Sequence, residues 1–100
     1  MPGENTNIKE KNKTGLKEPN QYSVVFHNDD FTPMEFVTLI LMHIFFKTEA
    51  DALNLMMKVH QEGKALIGTY SYDIASSKAD TATNLARKNG YPLRISIQKV

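Results

Sequence analysis

Sizeable apolar side chains are sparse up to Gln21 and frequent from Tyr22 onward. In the first segment only Met1, Ile8 and Leu16 could be buried, among lysines, glutamates, asparagines, glycines and prolines. So few apolar groups cannot offset the entropy lost on ordering the backbone. A flexible N-terminal extension is therefore predicted over 1–21 and a folded core over 22–100. The core begins with Tyr22-Ser23-Val24-Val25-Phe26, a β-rich run ending in the turn-forming Asn28-Asp29-Asp30, and reads as a strand. Thr32-Pro33-Met34-Glu35 then has the pattern of a helix start. Threonine stands as cap, proline at the first helical position and glutamate three residues after the cap. That helix is expected to run to about Phe46.

A second helix is predicted from Thr48-Glu49-Ala50-Asp51, with Ala52, Leu55, Met56 and Val59 on one face and Gly63 closing it. Lys64 to Tyr70 reads as strand, Tyr72 to about Asn89 as a third helix capped by Ser71 and ended at Gly90, and Leu93-Arg94-Ile95-Ser96-Ile97 as the last strand. The order is β-α-α-β-α-β. This predicts an α+β fold: a single two-layer domain, with a three-stranded antiparallel sheet and three helices on one face. Ser23, Arg94, Ser96 and Gln98 would supply the polar side of the sheet.

Composition narrows the function classes. Twelve basic residues against eleven acidic ones leave no strong field for nucleic acid or an anionic membrane. The absence of cysteine removes thiolate chemistry and disulfides, and suits a reducing cytoplasm. The longest apolar run, Phe36 to Phe46, is too short to span a bilayer and is interrupted by Thr38 and His43.

Two stretches carry candidate chemistry. Asn28, Asp29 and Asp30 join the first strand to the first helix, where an amide oxygen and carboxylates offer acceptors suited to a cation or an ammonium group. Asn and Asp are equally at home as simple turn and cap residues. Met56 and His60 stand four apart and share a helical face. Either they are ordinary core residues, or they bring one polar group to the rim of an apolar pocket. Combined with Met34, Val37 and Val59, these stretches suggest a hollow for an α-amino group followed by a large apolar side chain. Burying one leucine or phenylalanine contributes about 1.5–3 kcal/mol, and charge-assisted hydrogen bonds about 1.5–3 kcal/mol each. After the cost of association this gives affinity on the order of micromolar.

Three motifs carry a family resemblance. They are Val25-Phe26-His27-Asn28-Asp29-Asp30-Phe31-Thr32-Pro33-Met34-Glu35-Phe36-Val37, Val59-His60-Gln61-Glu62-Gly63-Lys64-Ala65 and Tyr91-Pro92-Leu93. Through them the chain resembles the ClpS family of bacterial protease adaptors, without evident gaps from Tyr22 to about Lys99. The resemblance implies an adaptor of the N-end rule pathway, non-enzymatic and cofactor-free, for proteins beginning with Leu, Phe, Tyr or Trp. Its implied partner is the N-terminal domain of the AAA+ unfoldase ClpA, or of the related ClpC. By position, Asn28, Asp29 and His60 would contact the α-amino group, and Phe26, Thr32, Met34, Val37, Met56, Val59 and Leu93 would form the hydrophobic pocket. Met34 would be the wall that rejects β-branched side chains, and Asp73 and Lys78 would contact the unfoldase. Asp73 departs from the family's usual glutamate. Leu39, Met42 and Phe46 replace polar residues and are expected to form an apolar stripe, while Ala79 and Ala82 replace larger residues of the third helix.

Other functions fit less well. Asp29, Asp30 and His60 could serve as acid, base and orienter, but no serine or cysteine stands in a nucleophile motif. His27, Asp29, Asp30 and His60 match no regular zinc spacing. A nucleic-acid module would need the basic patch with stacking aromatics that is missing here.

Overall fold

The computed structural model describes residues 20–100, so the extension expected over 1–21 lies outside the described residues except for its last two. The elements are β1 (Gln21–His27), α1 (Met34–His43), α2 (Glu49–Glu62), β2 (Lys64–Ser71), α3 (Tyr72–Lys88) and β3 (Arg94–Lys99), in the predicted order. β1 is central and antiparallel to β2 on one side and β3 on the other. Strand alternation turns Val24 and Phe26 toward the helices, where both are fully buried. Ile97 and Ile95 stand beside them on β3, and Ala65 stands beside Phe26 on β2. The opposite face carries Ser23, Val25 and His27, next to the polar Gln98, Ser96 and Arg94 of β3. A register shift between Val24 and Val25 leaves buried Ile67 as the extra residue of β2.

The three helices cover the inner face of the sheet. α3 meets all three strands through Ala75, Ala79, Ala82 and Ala86, all buried. These small side chains let the helix lie close to the strands. α2 starts as predicted: the Thr48 hydroxyl accepts the Asp51 backbone N–H at 3.1 Å. It ends at Gly63, whose φ of 90° is the left-handed conformation that glycine tolerates best.

α1 differs from expectation at both ends. Its cap position is Pro33, not Thr32, and no side-chain bond caps it. The Thr32 hydroxyl instead donates to Asp29, so the Thr32–Glu35 capping box does not form. The helix stops at His43 rather than near Phe46. There the chain widens: the Phe45 N–H reaches back to the Ile40 carbonyl at 3.3 Å, and the Lys47 N–H to Leu41 at 3.0 Å. This break lets Phe45 drop into the core, edge-on to Phe26 with ring centroids 5.4 Å apart. Phe46 is left at φ 56° and 77% exposed, a conformation that costs a side-chain-bearing residue about 1–2 kcal/mol. The expected stripe is therefore not continuous: Leu39 is exposed, Met42 is half-buried against the core, and Phe46 has left the helix.

Gly63 offers a clean test of this framework. A Cβ built there meets nothing within 4 Å, so Gly63→Ala is penalised through the backbone alone. The expected loss is about 1 kcal/mol, a fall of about 4–8 °C in Tm for a domain this small. Thermal melts followed by circular dichroism measure it, and an unchanged Tm would show that the left-handed conformation is not required.

Candidate functional site

Four segments converge at one end of the domain. β1 delivers Asn28, whose backbone N–H donates to the Gly63 carbonyl at 2.8 Å and so joins the loop to the end of α2. One turn before that end stands His60, exposed, with Val59 and Met56 buried on the inner side of the same helix. α1 contributes Met34, its first residue, and Val37 one turn later. The segment between α3 and β3 adds Leu93, only 1% exposed.

The residues His27, Asn28, Asp29, Thr32, Met34, Val37, Met56, Val59, His60 and Leu93 line a single hollow of about 270 Å³, counting its open mouth. Between the walls there is room for little more than one water molecule. Polar groups of Asn28, Asp29 and His60 stand with it, against apolar walls of Val37, Met56, Val59 and Leu93. Asn28, Met34 and His60 are exposed at the surface, whereas the four apolar wall residues are buried. A side chain larger than water must displace something to enter. The methionines are the walls best able to yield, being unbranched and adaptable. A second, shallower surface continues from the mouth past Asp30, Phe31, Pro33 and Glu35.

The Asp29 carboxylate organises the loop. One oxygen accepts the backbone N–H groups of Phe31 at 2.8 Å and Thr32 at 2.7 Å, and the other accepts the Thr32 hydroxyl at 2.7 Å. Partial burial pushes the carboxyl up, but these three bonds and the charge of Arg87 together hold it below its ordinary value. Asp29 is thus ionised at neutral pH and places fixed negative charge at the mouth.

Almost all of the sequence-derived candidates meet here. Phe26 is not in the wall: it is wholly buried beneath, in the core. Asp73 lies in the first turn of α3 and Lys78 further along that helix, both outside the hollow. Two contributors went unforeseen. His27 lines the hollow and bonds across the sheet, its Nε2 lying 2.8 Å from the Ser96 hydroxyl. Arg87 donates through Nη1 to the carbonyls of Tyr91 at 2.8 Å and Leu93 at 2.9 Å, fixing the segment that carries the Leu93 wall. Helical spacing marks Arg87 only as a last-turn cation, which conceals this contact. Among the described residues no group of three or more His, Asp or Glu is placed to hold a metal ion. No described helix is long and apolar enough to cross a membrane.

Comparison with known proteins gives this arrangement its family. The family profile described as ATP-dependent Clp protease adaptor protein ClpS matches residues 17–96. The chain belongs to the ClpS family. It is thereby an adaptor protein of the ATP-dependent Clp protease. ClpS of Clostridium acetobutylicum is 45% identical over 94 residues, covering 94% of this chain and 91% of that protein. ClpS of Syntrophus aciditrophicus is 47% identical over 85 residues, or 85% of this chain and 79% of that one. Among solved structures, Agrobacterium tumefaciens ClpS2 bound to L-phenylalaninamide is similar with a TM-score of 0.81 and 37% identity. That match covers 83% of this chain and all of the other. The ClpS fold and the α+β reading therefore agree.

His27 gives the folded state a dependence on pH. Burial, and then the nearby positive charges of Arg94 and Lys64, lower its pKa below the ordinary 6.5. The fold therefore favours the neutral ring. That contribution is fully present above pH 6.5 and lost as pH falls through the lowered folded value. His27→Gln, uncharged throughout, should remove part of the decline between about pH 7.5 and about pH 5.5. Urea midpoints of both proteins at the two pH values measure this. An equal decline in both would mean that another group is responsible.

Proposed function

We propose that this adaptor is an N-recognin: it holds the free N-terminal residue of a substrate protein in the hollow and delivers that protein to the unfoldase. The observation that carries this reading is the pairing of a polar, negatively charged mouth with a buried apolar wall in one small hollow. L-phenylalaninamide, the ligand of the similar Agrobacterium structure, combines the same two features, a free α-amino group and an apolar side chain. An α-amino group, with a pKa of about 8, is mostly charged at neutral pH.

In this reading Asp29 supplies the opposing charge, Asn28 an amide oxygen, and His60 a further polar contact. The side chain of Leu, Phe, Tyr or Trp enters between Met34, Val37, Met56, Val59 and Leu93, with Thr32 at the rim. Met34, 41% exposed at the head of α1, is the movable wall that disfavours side chains branched at Cβ. Recognition needs no bond to be made or broken, so the adaptor is not an enzyme, and it works without a cofactor in the cytoplasm. Its partner is the N-terminal domain of the unfoldase ClpA, or of ClpC. Asp73 and the neighbourhood of Lys78 form the contact surface, on the part of α3 that does not reach the hollow.

Fluorescence anisotropy with a labelled peptide beginning with leucine tests the first half. Binding is expected for the free leucine peptide, and weaker binding for the same peptide starting with valine. N-acetylation removes the charge and its hydrogen bonds, and should weaken binding by about tenfold or more. Asp29→Ala and His60→Ala should do the same. A peptide that binds equally well when acetylated would refute the assignment. Met34→Ala should improve valine binding relative to leucine; an unchanged ratio would remove Met34 from the specificity wall.

A further inference from the structure

The walls of the hollow are not all held in the same way. Met34 and Val37 stand on α1, and Met56 and Val59 on α2, where helical hydrogen bonds fix the backbone. Leu93 has no such support: it lies between the end of α3 at Lys88 and the start of β3 at Arg94, outside any helix or strand. Yet it is almost wholly buried, so its backbone carbonyl needs a donor within the protein.

Arg87 is that donor. Its Nη1 donates to the Leu93 carbonyl at 2.9 Å and to the Tyr91 carbonyl at 2.8 Å, so one guanidinium nitrogen bridges both sides of Pro92. A charged donor makes such bonds roughly twice as strong as a neutral one. Gly90, at φ 79°, makes the reversal that brings the segment back to the guanidinium. The Tyr91 N–H then donates to the Ala86 carbonyl at 2.9 Å, and the Tyr91 ring packs edge-on against Phe36 of α1, centroids 4.8 Å apart. An arginine that only capped α3 would bond the carbonyls of its own last turn. Arg87 reaches past the helix end instead, to the segment that carries a wall. Its side chain is exposed, so core packing does not explain it. Its charge also helps to hold the Asp29 carboxyl below its ordinary value.

We propose that Arg87 is a specificity-determining positioning residue of the hollow: through the Tyr91 and Leu93 carbonyls it fixes the Leu93 wall, and thereby sets the balance between aliphatic and aromatic N-terminal side chains. The inference rests on the N-terminal recognition proposed above and adds to it a residue that acts only through another. Between the walls there is room for little more than one water molecule, so a small displacement of Leu93 changes what fits. A firmly held wall favours the narrower leucine. With the clasp released, Leu93 can withdraw and the broad indole of tryptophan enters at less cost. Leucine then loses packing on that side, because a gap of even a fraction of an ångström forfeits contact energy.

The test compares, for the full-length adaptor, the affinities of two labelled peptides that differ only in a first residue of leucine or tryptophan. Arg87→Met keeps an unbranched side chain and removes both hydrogen bonds. It should shift the ratio of affinities toward tryptophan by about fivefold or more. Arg87→Lys, which keeps a charged donor without the planar fork, should recover most of that shift. Pro92→Gly loosens the same segment with Arg87 intact and should shift the ratio in the same direction. A role confined to stabilising α3, or to the charge beside Asp29, would weaken both peptides equally. A ratio unchanged or moved toward leucine in Arg87→Met overturns the inference while leaving N-terminal recognition in place; if circular dichroism shows that variant unfolded, the same result in Pro92→Gly overturns it. Wild-type adaptor that binds neither peptide, or binds their acetylated forms equally well, overturns the recognition reading and this inference with it.

Discussion

The Asp29 carboxylate, bonded to Phe31 and Thr32, is the interaction on which the candidate site depends. It shapes the turn between β1 and α1, sets the direction in which α1 leaves, and so determines where Met34 and Val37 stand. The same group remains charged at the mouth. A residue that folds the loop and also keeps its charge at the mouth joins local structure to the electrostatics of the hollow. The Asn28 bond to Gly63 completes the frame by joining this loop to α2, which places His60 beside it. Few bonds are needed because each joins two elements that the core already positions.

From that frame α1 acts as a short rigid connector. Its inner face, Val37, Ile40 and Leu41, is buried in the common core, so its two ends are fixed relative to each other. The start of the helix belongs to the hollow. Its end is drawn inward by Phe45 and held to α3 by Lys78. The two ends of α1 thus share a scaffold without sharing atoms, one facing the hollow and the other held to α3.

The element order, the single sheet and nearly all of the lining residues were legible in the sequence, because they follow from alternation, helical spacing and the long motif from Val25 to Val37. What was not legible depended on contacts between distant segments. Thr32 has every local mark of a helix cap, but Asp29 takes its hydroxyl. The periodic run toward Phe46 reads as helix, yet burial of Phe45 against Phe26 ends it early. The family resemblance implies a pocket position for Phe26, which is instead fully buried in the core. Arg87 reads as a helix-end charge because its acceptors, Tyr91 and Leu93, are defined only once the chain has turned back.

The alanine face of α3 has a further consequence. Ala75, Ala79, Ala82 and Ala86 act as thin shims between helix and sheet, and Arg87, next along the helix, holds the Leu93 segment. The depth of the hollow is therefore set partly from behind. One added methyl group on that face would lift the helix and, through Arg87, shift a wall of the cavity while every wall residue stayed the same. The shape of the hollow is therefore a property of residues behind it as well as of those that line it.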